Sequence, residues 1–193
     1  MKRIAVFCGS SSGTDDVFEK QAYLLGQTLA QSKIGVVYGG ASIGLMGAVA
    51  NGALSEGGEV IGVIPAFLGI KEIAHNKLTE LIVVDTMHIR KTKMSDLSDG
   101  FIVLPGGIGT LEEFFEVLTW AQLGLHQKPI GILNVNGFYD EMIVFIKSMV
   151  AKGFLKAINL HMILVSETIE DLLHKMDTYV APAVPKWITK ETT

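Results

Sequence analysis

Three glycines, Gly106, Gly107 and Gly109, stand directly before Thr110, Glu112 and Glu113 in the stretch Phe101-Ile-Val-Leu-Pro-Gly-Gly-Ile-Gly-Thr-Leu-Glu-Glu113. The glycines free the backbone to present its N–H groups, and a helix opening near Thr110 adds the positive end of its dipole. Together they form a seat for an anion, with two carboxylates in the first helical turn close beside it. A phosphate held next to an acid is the arrangement needed to cleave or transfer a sugar phosphate or a nucleotide.

The segment Met87-His-Ile-Arg-Lys-Thr-Lys-Met94 supplies the complementary charge. It follows the apolar run Leu81–Val84, so Arg90 and Lys91 fall in the first turns of a helix, where a cation opposes the dipole and gains nothing locally. Something else must offset that placement. For Lys93 a solvated face, or an ion pair with Asp96 or Asp99, is sufficient. For Arg90 the fixed guanidinium fork suits a phosphate or a purine edge better than an exposed face. Glu113 has a second reading, because Thr110-Leu-Glu-Glu113 fits the Ser/Thr-x-x-Glu capping box, in which the acid only reaches back to the first helical N–H. Spacing alone favours the cap, and Glu112 beside it need only complement the dipole.

Two more strand-to-helix junctions are glycine-rich: Cys8-Gly-Ser-Ser-Ser-Gly-Thr14 and Tyr38-Gly-Gly-Ala-Ser-Ile-Gly-Leu-Met-Gly47. Any βα turn uses glycine to swing the chain, so one such loop says little; three on one rim of a sheet point to a ligand. None contains Gly-Lys-Ser/Thr, which excludes a Walker phosphate loop. None has Gly-x-Gly-x-x-Gly after the first strand, and the second strand ends in Tyr38-Gly39 rather than in an acid for a ribose, which argues against a dinucleotide-dependent dehydrogenase. The serines lack the Gly-x-Ser-x-Gly elbow of a serine hydrolase and fit better as hydrogen-bond donors to phosphate or hydroxyl groups. The histidines, His75, His88, His126, His161 and His174, show no metal-binding spacing, so no metal is expected. Met46 and Trp120 lie in apolar helical stripes and read as core.

These residues must be positioned by elements that alternate along the chain. Strands are expected at Ile4–Cys8, Gly35–Tyr38, Val60–Ile64, Leu81–Val84, Phe101–Leu104, Ile130–Leu133 and Met162–Val165. Most are continuous apolar runs, which predicts burial on both faces. Helices are expected at Asp16–Gln31, Leu45–Glu56, His88–Ser98, Thr110–Leu125, Tyr139–Lys152 and Thr168–Tyr179. The alternation predicts a doubly wound, Rossmann-like α/β fold: a parallel sheet of about seven strands flanked by helices, with ligand beyond the carboxyl ends of the strands. Residues 1–180 read as a single nucleotide-binding α/β hydrolase domain, and residues 181–193, with Pro182 and Pro185, as a loose tail.

The 193 residues suffice for a substantial core, and 49% are hydrophobic. A net charge of −4 leaves no basic footprint, so nucleic acid is not an expected partner. Glycine and serines end the apolar run after Met1-Lys-Arg too early for a signal peptide or a membrane span, so a cytoplasmic protein is expected. The one cysteine, Cys8, excludes an internal disulfide and reads as a small packed hydrophobe.

In these residues the chain resembles the Lonely Guy (LOG) family, the cytokinin riboside 5′-monophosphate phosphoribohydrolases, whose members were often labelled lysine decarboxylases. The family's Pro-Gly-Gly-x-Gly-Thr-x-x-Glu signature is Pro105 to Glu113, and its Met-His-x-Arg-Lys element is Met87 to Lys91. Further matches are Tyr38-Gly-Gly with Gly44-Leu-Met-Gly47, Gly62-Val-Ile-Pro65, and Leu118-Thr-Trp-Ala-Gln-Leu-Gly124 followed by Lys128-Pro-Ile-Gly131. The resemblance implies hydrolysis of the N-glycosidic bond of an adenine-type nucleoside 5′-monophosphate to free base and ribose 5-phosphate, in a homodimer and without a cofactor. It implies Arg90 and Glu113 as the catalytic pair, and Glu72, Lys91, Gly106, Gly107, Ile108, Gly109, Thr110, Glu112 and Thr119 as substrate-binding residues. Many relatives carry an aromatic residue, commonly Tyr, where this chain has Ile108, a departure that bears on base preference and not on the phosphate seat.

The implied chemistry agrees with the residues. Ribosyl–base cleavage passes through an oxocarbenium-like state, which a carboxylate can stabilise, capture, or serve by activating water. Glu113 would play this part while Arg90 polarises the departing purine or holds the phosphate. The phosphate would rest on Gly106–Thr110, with Gly39, Gly40 and Ser42 opposite. The alternative is a nucleotide-binding or carrier module without turnover. A decarboxylase would need pyridoxal phosphate on a lysine, and no lysine sits in such a setting.

Overall fold

Valine- and isoleucine-rich runs form the seven strands of the computed structural model, which describes residues 1–69 and 74–183. The strands are β1 (Arg3–Phe7), β2 (Gly35–Tyr38), β3 (Val60–Pro65), β4 (Glu80–Val84), β5 (Gly100–Val103), β6 (Ile130–Leu133) and β7 (Ile163–Ser166). Between them run α1 (Asp16–Gln31), α2 (Gly44–Ser55), the short α3 (Ala66–Gly69), α4 (Met87–Asp96), α5 (Ile108–Gln122), α6 (Asp140–Ala151), the short α7 (Ala157–Leu160) and α8 (Ile169–Asp177). The short helices α3 and α7, and a 3₁₀ turn at Val135–Gly137, escape a periodicity reading because each is only about one turn long.

The sheet runs β4-β3-β2-β1-β5-β6-β7, every neighbouring pair parallel. This is the doubly wound α/β arrangement the alternation predicts. Helices α1, α2 and α8 cover one face over Val6, Leu25, Val49 and Leu172. Helices α4, α5 and α6 cover the other over Phe7, Met94, Phe101 and Phe114. Each side chain of this size buried in full contributes about 1.5–3 kcal/mol. Strands β2, β3, β5 and β6 are buried along their whole length, as continuous apolar runs require. The edge strand β4 departs from that expectation: Leu81 and Val83 are exposed, because an edge strand has a neighbour on one side only. The other edge strand, β7, is only half-buried at Ile163, Leu164 and Val165.

Strand order reverses beside β1, which pairs with β2 on one side and β5 on the other. The loops after β1 and β5 therefore diverge and open a crevice at the carboxyl edge. The chain must also return from β4, at one edge, to β5 beyond β1, four strand spacings or about 19 Å. Helix α4 lies in that crossover, and this carries Arg90 from the sheet edge toward its centre.

Candidate active site

A cavity of about 550 Å³ opens at the carboxyl edge, walled by Cys8 after β1, Gly39 after β2, Ile64 in β3, and residues of α4 and α5. Thr86 caps α4, its hydroxyl accepting the Ile89 N–H at 3.2 Å. In the first turn beyond that cap, Arg90 turns its guanidinium toward α5. Its Nη1 donates to Glu113 Oε1 at 2.6 Å and its Nε donates to the Val63 carbonyl at 2.9 Å. Arg90 and Glu113 are each only 8% exposed, so this ion pair stands in a largely dry wall. A Cβ on Gly39 would collide with Arg90 Nη2 and come within 2.8 Å of Met46 Sδ, so glycine is what lets the guanidinium lie there.

Helix α5 begins at Ile108, two residues before the expected Thr110, with Gly107 as an N-cap that offers no side-chain hydrogen bond. The first helical N–H groups thus face the cavity without the partner that a side-chain cap would give them. This start overturns the capping-box reading: Thr110 is inside the helix, and Glu113 Oε1 is engaged by Arg90 rather than by the helix start. Thr110 is buried against Gly106, where a Cβ would strike its hydroxyl. At Gly107 and Gly109, by contrast, a Cβ would meet nothing within 4 Å. Packing does not demand glycine at these two positions, and the room they leave belongs to the cavity.

Burial pushes the Glu113 carboxyl above the ordinary carboxylate value; the charge and hydrogen bond of Arg90 oppose that rise, Glu112 adds to it, and Lys91 counters it. Burial also pushes the Cys8 thiol far up, with Glu113 adding to the effect, so Cys8 is a neutral part of the wall and not a thiolate nucleophile.

Of the residues singled out in the sequence, Gly39, Arg90, Gly107, Ile108, Gly109, Thr110, Glu112 and Glu113 line this cavity. Gly106 faces an adjoining cleft of about 300 Å³ that shares Gly107 and Ser10 with it. Gly40 turns the chain with φ +80 behind the wall, and Ser42 faces a groove between α1 and α2. Lys91 is buried between α4 and α5, its Nζ 2.5 Å from Glu112 Oε1 and 2.9 Å from Glu116 Oε1. Burial works against that ammonium, but the hydrogen bonds and charges of the two glutamates outweigh it and raise its pKa. Thr119 lies on the exposed side of α5, where its hydroxyl donates to the Phe115 carbonyl at 2.7 Å. Glu72 lies outside the described residues.

Met46, expected in the core from its apolar stripe, also lines the cavity, as do Ile43, Leu68 and Met87. The signal for Met46 is its place inside the glycine-rich junction Tyr38–Gly47, where α2 starts at the cavity wall. With Ile108, which is 83% exposed, these side chains make an apolar rim. Among the described residues no three His, Cys, Asp or Glu side chains gather as a metal site, and no helix is long and apolar enough to cross a membrane.

A family model described as "possible lysine decarboxylase" matches residues 46–176. A cytokinin riboside 5′-monophosphate phosphoribohydrolase of Rhodococcoides fascians is 48% identical over 170 residues, 88% of this chain and 86% of the relative. One of the Arabidopsis thaliana enzymes of the same name is 46% identical over 178 residues, 92% of this chain and 78% of the relative. Among solved structures, the molybdenum cofactor binding protein of Rippkaea orientalis superposes with a TM-score of 0.70 at 22% identity, covering 91% of this chain and 95% of that one. That identity speaks for the fold alone. Matched along most of its length by the family model and by relatives that carry the phosphoribohydrolase name, the chain belongs to the LOG family.

Proposed function

We propose that the protein is a phosphoribohydrolase that cleaves the N-glycosidic bond of an adenine-type nucleoside 5′-monophosphate, of the cytokinin riboside kind, to free base and ribose 5-phosphate. The observation that carries this reading is the buried Arg90–Glu113 pair in the same cavity wall as the uncapped start of α5. The substrate phosphate rests on the backbone from Gly106 to Thr110, where the helix dipole and free N–H groups favour an anion. The ribose then lies beside Glu113, whose carboxylate offsets the positive charge that develops as the bond between ribose and base breaks. The bonding electrons leave with the base, water adds to the sugar carbon, and the base takes up a proton. Arg90 holds Glu113 in place and offsets negative charge on the departing base. The apolar rim of Ile43, Leu68, Met87 and Ile108 suits a purine that bears an apolar N6 substituent. Lys91 and Thr119 stand off the cavity and take no substrate contact in this scheme.

The carrier alternative is not favoured: the relatives at 46–48% identity carry the name of a hydrolase, and the likeness to molybdenum cofactor proteins is one of fold. A cytoplasmic homodimer belongs to the same proposal, and light scattering on the purified protein reads the oligomer. Activity is tested by incubating the protein with N6-isopentenyladenosine monophosphate and with AMP and following free base by chromatography. Base release from the prenylated nucleotide, with Glu113→Gln slowing it about 100-fold or more, is the expected result. Near-wild-type turnover by Glu113→Gln overturns the assignment, and nucleotide binding without base release favours the carrier.

A further inference from the structure

Adjacent residues on α4 meet adjacent residues on α5 in crossed order: Arg90 takes Glu113, and Lys91 takes Glu112 together with Glu116. Both Glu112 and Glu113 line the cavity; Lys91 does not, and it is only 8% exposed. Three carboxylates therefore stand on one side of α5 opposite two cations. Glu116 Oε2 is buried without a hydrogen-bond partner, so the charge of Glu116 depends on Lys91 at its other oxygen. Glu112, whose side chain is half exposed, is the member free to swing if Lys91 releases it. We propose that Lys91 is a positioning residue rather than a substrate contact: by holding Glu112 and Glu116 it leaves Arg90 to one carboxylate, Glu113. The inference rests on the catalytic reading of Arg90 and Glu113 given above.

The chemistry of the side chain fits this task. An ammonium is a compact point charge that can accept two carboxylates arriving from successive turns of a helix, as Glu112 and Glu116 do, whereas a guanidinium fork favours one planar partner. Without that charge, Glu112 would be an unpaired carboxylate in the wall that holds Arg90, able to compete for it and, as a like charge, to disfavour the ionised form of Glu113. The opposed influences of Glu112 and Lys91 on the Glu113 carboxyl run in this sense.

The test compares Lys91→Met, Lys91→Arg, Glu112→Gln, and Lys91→Met combined with Glu112→Gln, measuring base release against pH. Lys91→Met is expected to lower kcat about tenfold or more with KM within about twofold, and to move the acid limb of the kcat profile to higher pH. Adding Glu112→Gln is expected to recover most of kcat and return the acid limb, measured against Glu112→Gln alone. Lys91→Arg keeps the charge but not the compact geometry that serves two carboxylates, so its kcat is expected to fall between those of the wild type and Lys91→Met. A raised KM with kcat preserved would make Lys91 a substrate contact and overturn the proposal. A fall in kcat that Glu112→Gln does not recover would make its role merely structural, which also overturns it. If Lys91→Met does not fold, adding Glu116→Gln removes the stranded buried carboxylate, and the same contrast is read with and without Glu112→Gln. Titration of the Glu113 carboxyl by carbon NMR reads the sorting without turnover, so failure of the hydrolase reading and failure of this one are separable. An unchanged Glu113 midpoint in Lys91→Met counts against Lys91.

Discussion

The loops after β1 and β5 are neighbours on the two sides of the crevice, and both are rich in glycine, yet they start their helices in opposite ways. After β1 the chain wanders from Cys8 to Asp15, and Asp15 caps α1 by accepting the Val17 N–H at 3.0 Å. After β5 the chain turns at once into α5, whose N-cap is Gly107 and has no side chain to offer. A carboxylate already occupies the end of α1; the end of α5 is left for a ligand. Glycine content therefore does not identify an anion seat. What does is a helix start whose N–H groups have no side-chain partner, facing a space that packing leaves open, as it is at Gly107 and Gly109.

Making α5 resemble α1 breaks the contrast with the largest effect. Gly107 has φ −91 and ψ −158, extended backbone open to any residue, so Gly107→Asp installs a cap without strain. It is expected to cut kcat/KM about 100-fold or more, because its carboxylate occupies the phosphate seat, while thermal unfolding shows stability unchanged or raised by up to about 1 kcal/mol. A loss of activity accompanied by a loss of stability would mean that Gly107 serves the fold. A smaller effect is expected at the third junction, where Gly39→Ala crowds Arg90 and Met46: kcat/KM falls about tenfold as the guanidinium shifts from Glu113. The mildest variant is Asp15→Ala, which uncaps α1. Denaturant unfolding should show a loss of about 1 kcal/mol with kcat/KM unchanged, and a change in KM would place the β1 loop's helix in substrate binding after all.

Much of this architecture can be read from the residues. The alternation of apolar runs and amphipathic segments gives seven strands in a doubly wound parallel sheet, and three glycine junctions mark its functional rim. The start of α5 is less legible, since Thr110-x-x-Glu113 is a local pattern and the helix actually begins at Ile108, where permissive glycines leave no trace of the boundary. The partner of Glu113 is 23 residues away in sequence, so no capping rule could reveal that Arg90 engages it. Likewise Arg90 and Lys91 look equivalent as neighbours in sequence, but successive helical side chains diverge by about 100°. One faces the cavity and the other the contact between α4 and α5. The exposed side chains of β4 were hidden for a different reason: an apolar run does not announce that its strand lies at an edge.

The crossover from β4 to β5 also bears on how the site comes into being. Arg90 hangs from the last strand of one half of the sheet and Glu113 from the first strand of the other, with Val63 of β3 bracing the guanidinium. Neither half contains the pair on its own. During refolding the constellation forms only after β5 has docked beside β1, a contact between residues nearly a hundred positions apart. Recovery of activity therefore reports the joining of the two halves, and it is expected to lag behind recovery of helix signal in a stopped-flow experiment.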